Sequence, residues 1–179
     1  PARRRALWMV ALACLVAAVR IGVLKSEFVF DDHLIVANAR ASAHPHGALS
    51  LLAAPYFSGK NYRPLTNATF HGTQRAFGEA AWPHRALNLA LHVMNTLLLF
   101  ALARRLGASQ REAGLGAAIW GVHPLHVEPI VGLLGRGDLL SSGALLGAVW
   151  IAAGRDSRHP GKGRALGIAA LFLAGLAAK

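Results

Sequence analysis

One cysteine, Cys14, is present, which excludes a disulfide framework within the chain. Charge is sparse: 15% of residues are charged against 54% hydrophobic, and the mean hydropathy is +0.40. That balance excludes an ordinary soluble domain and calls for membrane helices. Carboxylates are scarcest, with eight Asp and Glu against nineteen Lys and Arg, a formal net charge of +11. Internal repeats are absent, and low complexity is limited to the Ala/Leu/Gly bias of membrane helices.

A surplus of positive charge suits nucleic acid, but the positions of the charges exclude that partner. Arg3, Arg4 and Arg5 precede the first apolar run, residues 6–24. Arg104, Arg105 and Arg111 lie between the second and third runs, and Arg155, Arg158, Lys162 and Arg164 between the fourth and fifth. With helices of alternating direction, all three clusters fall on one side, as the positive-inside rule requires. Glu27, Asp31, Asp32, Glu79, Glu128 and Asp138 fall on the other, leaving only Glu112 and Asp156 with the basic clusters. The charge pattern therefore predicts a lipid bilayer as partner, no nucleic acid, and a cytoplasmic N-terminus.

The predicted fold is an all-α integral membrane bundle with helices at about 6–24, 86–103, 113–122, 139–153 and 165–179. No small-residue cleavage site precedes Lys25, so the first run reads as a retained helix, not a signal peptide. The chain opens at Pro1, and its fifth run stops at Lys179, short of the roughly 20 residues a span needs. This reads as the N-terminal part of a longer membrane protein.

A long outer loop, about 25–84, is expected to carry short helical pieces. Residues 49–54 form a brief apolar patch. Pro64 opens a helix through Phe77 that offers Leu65, Ala68, Phe70 and Phe77 to the membrane surface. Arg20, at the outer end of the first run, either snorkels to the interface or faces a polar cavity. In the second run, Asn88, His92, Asn95 and Thr96 share one face, which should look into the bundle. Between 113 and 153, Pro124, Pro129 and the glycine-flanked Arg136 break the helix at the outer surface, with Asp138 placed as an N-cap. The segment between is expected to dip back towards the membrane.

Three polar motifs thus share the outer face: Phe30-Asp31-Asp32-His33, Asn61-Tyr62-Arg63-Pro64, and His123 to Asp138. Adjacent carboxylates raise one pKa and suit a proton acceptor. Arg63 and Arg136 are candidate phosphate ligands. A carboxylate base beside cations at a lipid–water boundary suits removal of a hydroxyl proton while a phosphate leaves. His126 and Glu128 with Asp31 or Asp32 offer an alternative, a divalent metal site, although His-x-Glu alone is weak evidence. The sequon Asn67-Ala68-Thr69 is read as structural.

FVFDDHLIVAN (28–38), NYRPLTNATFHGTQRAFG (61–78), NLALHVMNTLLLF (88–100) and HPLHVEPIVGLLGRGDLLSS (123–142) occur in this order. Together they resemble the TMTC family, transmembrane and tetratricopeptide-repeat-containing protein O-mannosyltransferases of the GT-C glycosyltransferase superfamily. The resemblance implies a GT-C-like bundle whose tetratricopeptide repeats lie beyond residue 179. It implies an enzyme that moves mannose or a similar sugar from a polyprenyl-phosphate donor to a Ser or Thr hydroxyl of an acceptor protein, with inversion. The site would face the periplasm from a bacterial inner membrane, or the lumen from the endoplasmic reticulum. Asp31 would be the base and Asp32 would orient it or the acceptor, with Arg63 and Arg136 on the donor phosphate. His33, Tyr62, His92, His123, His126, Glu128 and Asp138 would line the pocket. No cofactor is implied beyond the divalent metal that some members of the superfamily use.

Two other classes compete. In a transporter or lipid-linked sugar flippase, Arg20, His92 and the broken helix would form a substrate or proton path. In a non-catalytic membrane scaffold the outer carboxylates would be replaceable.

Overall fold

The computed structural model describes residues 2–41, 62–154 and 161–179. The apolar patch at 49–54, Asn61, and Arg155, Asp156 and Arg158 lie outside them. All regular elements among the described residues are helices, with no strand among them.

The first apolar run forms α1, Ala2–Arg20, prolonged by a 3-10 turn, Ile21–Lys25. Then come α2 (Asp32–Ala41), α3 (Pro64–Phe77), α4 (Ala81–Arg105) and α5 (Gln110–Val122). A short α6 (Val127–Val131) sits between two single 3-10 turns, and α7 (Arg136–Ala152) and α8 (Lys162–Ala178) complete the order. Among the described residues two segments, Arg3–Lys25 and Ala81–Arg105, are long and apolar enough to cross a membrane. A third, Pro124–Val131 with Leu133–Ala152, qualifies as one span bent by 102°.

α4 begins five residues before the expected 86, because Pro83 falls in its first turn, where a missing N–H costs nothing. α5 begins at Gln110 behind a full capping box, Ser109 with Glu112. Asp138 is not an N-cap: α7 starts two residues earlier, at Arg136, with Gly135 in the cap position. Asp138 instead occupies the first turn, where the helix dipole favours a carboxylate, and it pairs with Lys179.

The inner part of the bundle packs α1, α4 and α5 around Leu12, Phe100, Ala113 and Ala117. Close approach depends on glycine. A Cβ at Gly121 would come within 2.6 Å of Val16 and 3.0 Å of Thr96. Arg20, at the outer end of α1, is turned into the bundle. It is buried, and its Nη2 donates to the carbonyls of Val122 (2.8 Å) and His123 (2.7 Å), closing the C-terminus of α5.

The polar face of α4 is buried as its spacing predicts. Asn88, His92, Asn95 and Thr96 are all at 0% exposure. Asn95 donates to Leu139 O at 2.8 Å and His92 Nε2 to Gly121 O at 2.8 Å, so these groups join α4 to α7 and α5. Nearer the broken segment a second core joins Ile35 of α2, Phe70 of α3 and Leu133. Phe70 therefore does not face the membrane surface. α3 turns Thr66, Asn67, Phe70, His71 and Thr73 inward, and Thr66 donates to Ala178 O at 2.8 Å.

Candidate functional site

The turn that begins α2 brings Asp31 and Asp32 to very different surroundings. Asp32 is 2% exposed and all its acceptors are engaged. Its Oδ1 accepts from the Leu133 N–H at 2.8 Å; its Oδ2 accepts from the Val29 N–H at 3.3 Å and pairs with Arg85 Nη2 at 2.9 Å. The partner guanidinium is fully buried and also donates to Glu27 O at 2.7 Å. Asp32's charge is thus matched by Arg85, and the carboxylate ties the 27–32 loop to α4 and to the broken segment. Asp31, half-buried, has no side-chain hydrogen bond or ion pair among the described residues. The residue before it, Phe30, is 92% exposed and holds a left-handed φ of 47°, a costly conformation for a bulky side chain.

Asp31 and Asp32 line a cavity of about 730 Å³ with Arg63, Glu128 and Asp138. Five of the residues singled out in the sequence therefore meet there, drawn from the start of α2, the entry to α3, α6 and the first turn of α7. Arg63 is held just ahead of Pro64, whose fixed φ starts α3. The rest of the wall comes from Val29 and Phe30, from the bent segment, including Pro129, Gly132 and Gly135, and from Lys179.

Other candidates stand elsewhere. Arg136 is fully buried and outside the cavity lining. Its Nε donates to Asn88 Oδ1 at 2.8 Å, its Nη2 to His84 O at 3.0 Å, and its guanidinium lies 4.3 Å over the Phe70 ring. His92, Trp120, His126 and His123 form an aromatic row, with centroids 5.1 Å (His92–Trp120), 4.3 Å (Trp120–His126) and 6.2 Å (His126–His123) apart. None of the three histidines lines the cavity. His33 is exposed with its ring 5.9 Å from Phe28, and Tyr62 is exposed on its own stretch of chain. Among the described residues no group of three or more His, Cys, Asp or Glu is placed to hold a metal. The His126–Glu128–Asp arrangement weighed from the sequence is therefore not assembled.

Sequence reasoning passed over Arg85 and His84 by ending the outer loop at 84. The signal was present: Arg85 lies three residues before Asn88 and seven before His92, one more turn of the same polar face.

Chemically, the cavity offers a carboxylate with no side-chain partner among the described residues and the Arg63 guanidinium, beside a carboxylate that is fully engaged. That set can accept a proton from a hydroxyl and hold an anionic group.

The chain is similar to protein O-mannosyl-transferase TMTC3 of Mus musculus, 30% identical over 146 residues, 76% of this chain and 16% of the relative. Tmtc1 of Drosophila melanogaster is 32% identical over 131 residues, 68% of this chain and 15% of the relative. TMTC1 of Homo sapiens is 29% identical over 129 residues, 66% and 14%. The chain thus spans about a sixth of the length of these curated relatives. No protein-family model matches it. No solved structure matches it either.

Proposed function

The chain belongs to the TMTC family, and from that premise we propose that it carries the donor and acceptor site of a membrane glycosyltransferase with a GT-C-like bundle. The donor is a polyprenyl-phosphate-linked sugar, mannose or similar, and the acceptor a Ser or Thr hydroxyl of a protein. The reaction takes place on the periplasmic or lumenal side, with the N-terminus cytoplasmic.

Asp31 takes the proton of the acceptor hydroxyl as its oxygen attacks the anomeric carbon. The bond from that carbon to the phosphate oxygen breaks on the opposite face, so configuration inverts and polyprenyl phosphate leaves with the electron pair. Arg63 stabilises the phosphate charge as it develops. Asp32 orients the turn that carries Asp31. Arg136, whose guanidinium is engaged by Asn88 and His84, supports the wall from beneath.

The observation that carries this reading is that one cavity is lined by Asp31, which has no side-chain partner among the described residues, and by Arg63, beside an Asp32 paired with Arg85. The test uses the full-length protein in nanodiscs, polyprenyl-phosphate-mannose and a Ser/Thr peptide. We expect an α-linked product from a β-linked donor, and a loss of about 10³-fold or more for Asp31→Asn. Transfer by Asp31→Asn at the wild-type rate removes the base assignment.

The span bent by 102° favours a second reading, transport or flipping of the lipid-linked sugar. Movement of a labelled donor across proteoliposomes without glycosyl transfer would support it.

A further inference from the structure

Arg85 has no part in the chemistry just described, yet it contacts the turn that carries it. The side chain sits on α4, fully buried, and one nitrogen reaches both ends of the loop: Glu27 O at 2.7 Å and Asp32 Oδ2 at 2.9 Å. Between these ends the loop closes on itself through Asp32 N–H to Val29 O at 3.0 Å, with Phe30 at φ 47° on the corner. Outward the loop has little support, since Phe30 is 92% and Val29 42% exposed.

The arrangement is expensive. Arg85 Nε and Nη1 are buried with no hydrogen-bond partner among the described residues, and a desolvated ion pair is a poor source of stability compared with apolar packing. Backbone strain is added at the next residue but one. Two costs at one turn, both adjacent to Asp31, argue for geometry rather than stability as what the pair supplies.

We propose that Arg85 is the positioning residue of the site: by holding Glu27 and Asp32 together, it presents Asp31 to the cavity and neutralises the carboxylate beside it. The inference rests on the reading of Asp31 as base. The charged groups sharing the cavity with Asp31 are Asp32, Arg63, Glu128, Asp138 and Lys179, with His33 next to the turn. Removing Arg85 leaves Asp32 uncompensated, and a like charge next door disfavours ionisation of Asp31.

The experiment compares wild type, Arg85→Lys, Arg85→Gln and Asp31→Asn in the full-length protein, with polyprenyl-phosphate-mannose as donor. For Arg85→Gln the expected result is a fall in kcat of about 100-fold, as for an ångström-scale displacement of a catalytic group. The KM for donor should stay within about threefold, and the acidic limb of the pH–rate profile should move up by about one unit. Arg85→Lys, which keeps the charge, should recover most of both effects. Hydrogen exchange of amides 28–33 should quicken in Arg85→Gln while α4 stays protected, a readout that needs no activity. If Arg85→Gln does not fold, Asp32→Asn, which breaks the same pair from the other side, carries the comparison: faster exchange at 28–33 with a fall in kcat is expected, and unchanged exchange with full kcat overturns the proposal. Unchanged exchange at 28–33, or an unmoved pH limb with full kcat, overturns the proposal. An active Asp31→Asn would instead overturn the base assignment, and so separates the two failures.

Discussion

Arg136 Nε donates to Asn88 Oδ1 at 2.8 Å, and this bond fixes how an arginine at the mouth of a broken span is used. The guanidinium is fully buried, donates also to His84 O and lies over Phe70. Arg136→Ala leaves two buried acceptors without that donor and opens a cavity, a loss on the order of 3 kcal/mol or more. Thermal unfolding in detergent should show it as a large drop in Tm. Donor affinity of the remaining folded protein should be near wild type; lost affinity at an unchanged Tm would return Arg136 to the phosphate site.

Arg63 should behave in the opposite way. It lines the cavity and precedes α3 instead of being packed beneath it. A charge-assisted contact to phosphate is worth about 1.5–3 kcal/mol, so Arg63→Ala should weaken donor binding by about 10- to 100-fold. Arg63→Lys keeps the charge but not the planar fork, and should recover part of the loss. Titration with a polyprenyl phosphate measures both, and equal affinity for all three proteins excludes Arg63.

The legible part of this fold was its polar pattern within apolar runs. Asn88, His92, Asn95 and Thr96 stand out because a membrane helix has few such residues, and all four are buried. Pro64 marked the start of α3 because its missing N–H and fixed φ suit a first turn. Side-chain destinations were less legible. Asp31 and Asp32 are neighbours in sequence, but only the fold separates an engaged carboxylate from an available one. Arg136 reads as a phosphate ligand at the outer break, whereas it is buried, and the glycine after it serves close packing: a Cβ at Gly137 would meet Ala178 O at 2.7 Å. Phe70 looked like a surface anchor because apolar spacing on α3 does not say which neighbours cover it. The partners of Asp32 come from residues 85 and 133, contacts that local pattern cannot supply.

His71 gives the fold a defined pH sensitivity. It lies on the inward face of α3, 8% exposed, with Nε2 unpartnered among the described residues. Burial holds its pKa below the ordinary 6.5. Above about pH 6.5 both folded and unfolded chains carry it neutral, and it costs nothing. As pH falls below that value the unfolded chain takes up a proton that the folded chain resists, so stability declines towards the lower, folded-state pKa. Tm measured at pH 7.5 and 5.5 should therefore fall less in His71→Gln than in wild type. An identical fall in both would mean that other groups set the acid sensitivity.

Phe30 offers the cleanest separation of strain from contact. At φ 47° its Cβ crowds the backbone, and at 92% exposure the ring buries almost nothing that a substitution would lose. Phe30→Gly and Phe30→Ala delete nearly the same exposed apolar surface, yet only glycine enters the left-handed region without penalty. The difference between the two variants should be about 1 kcal/mol in favour of glycine, or about 2–4 °C in Tm for a chain of this size. Such a gap would show that the Asp31 turn is held against its own backbone preference by the contacts of Asp32. Equal melting temperatures would mean that the turn relaxes at no cost and that Phe30 stores no strain.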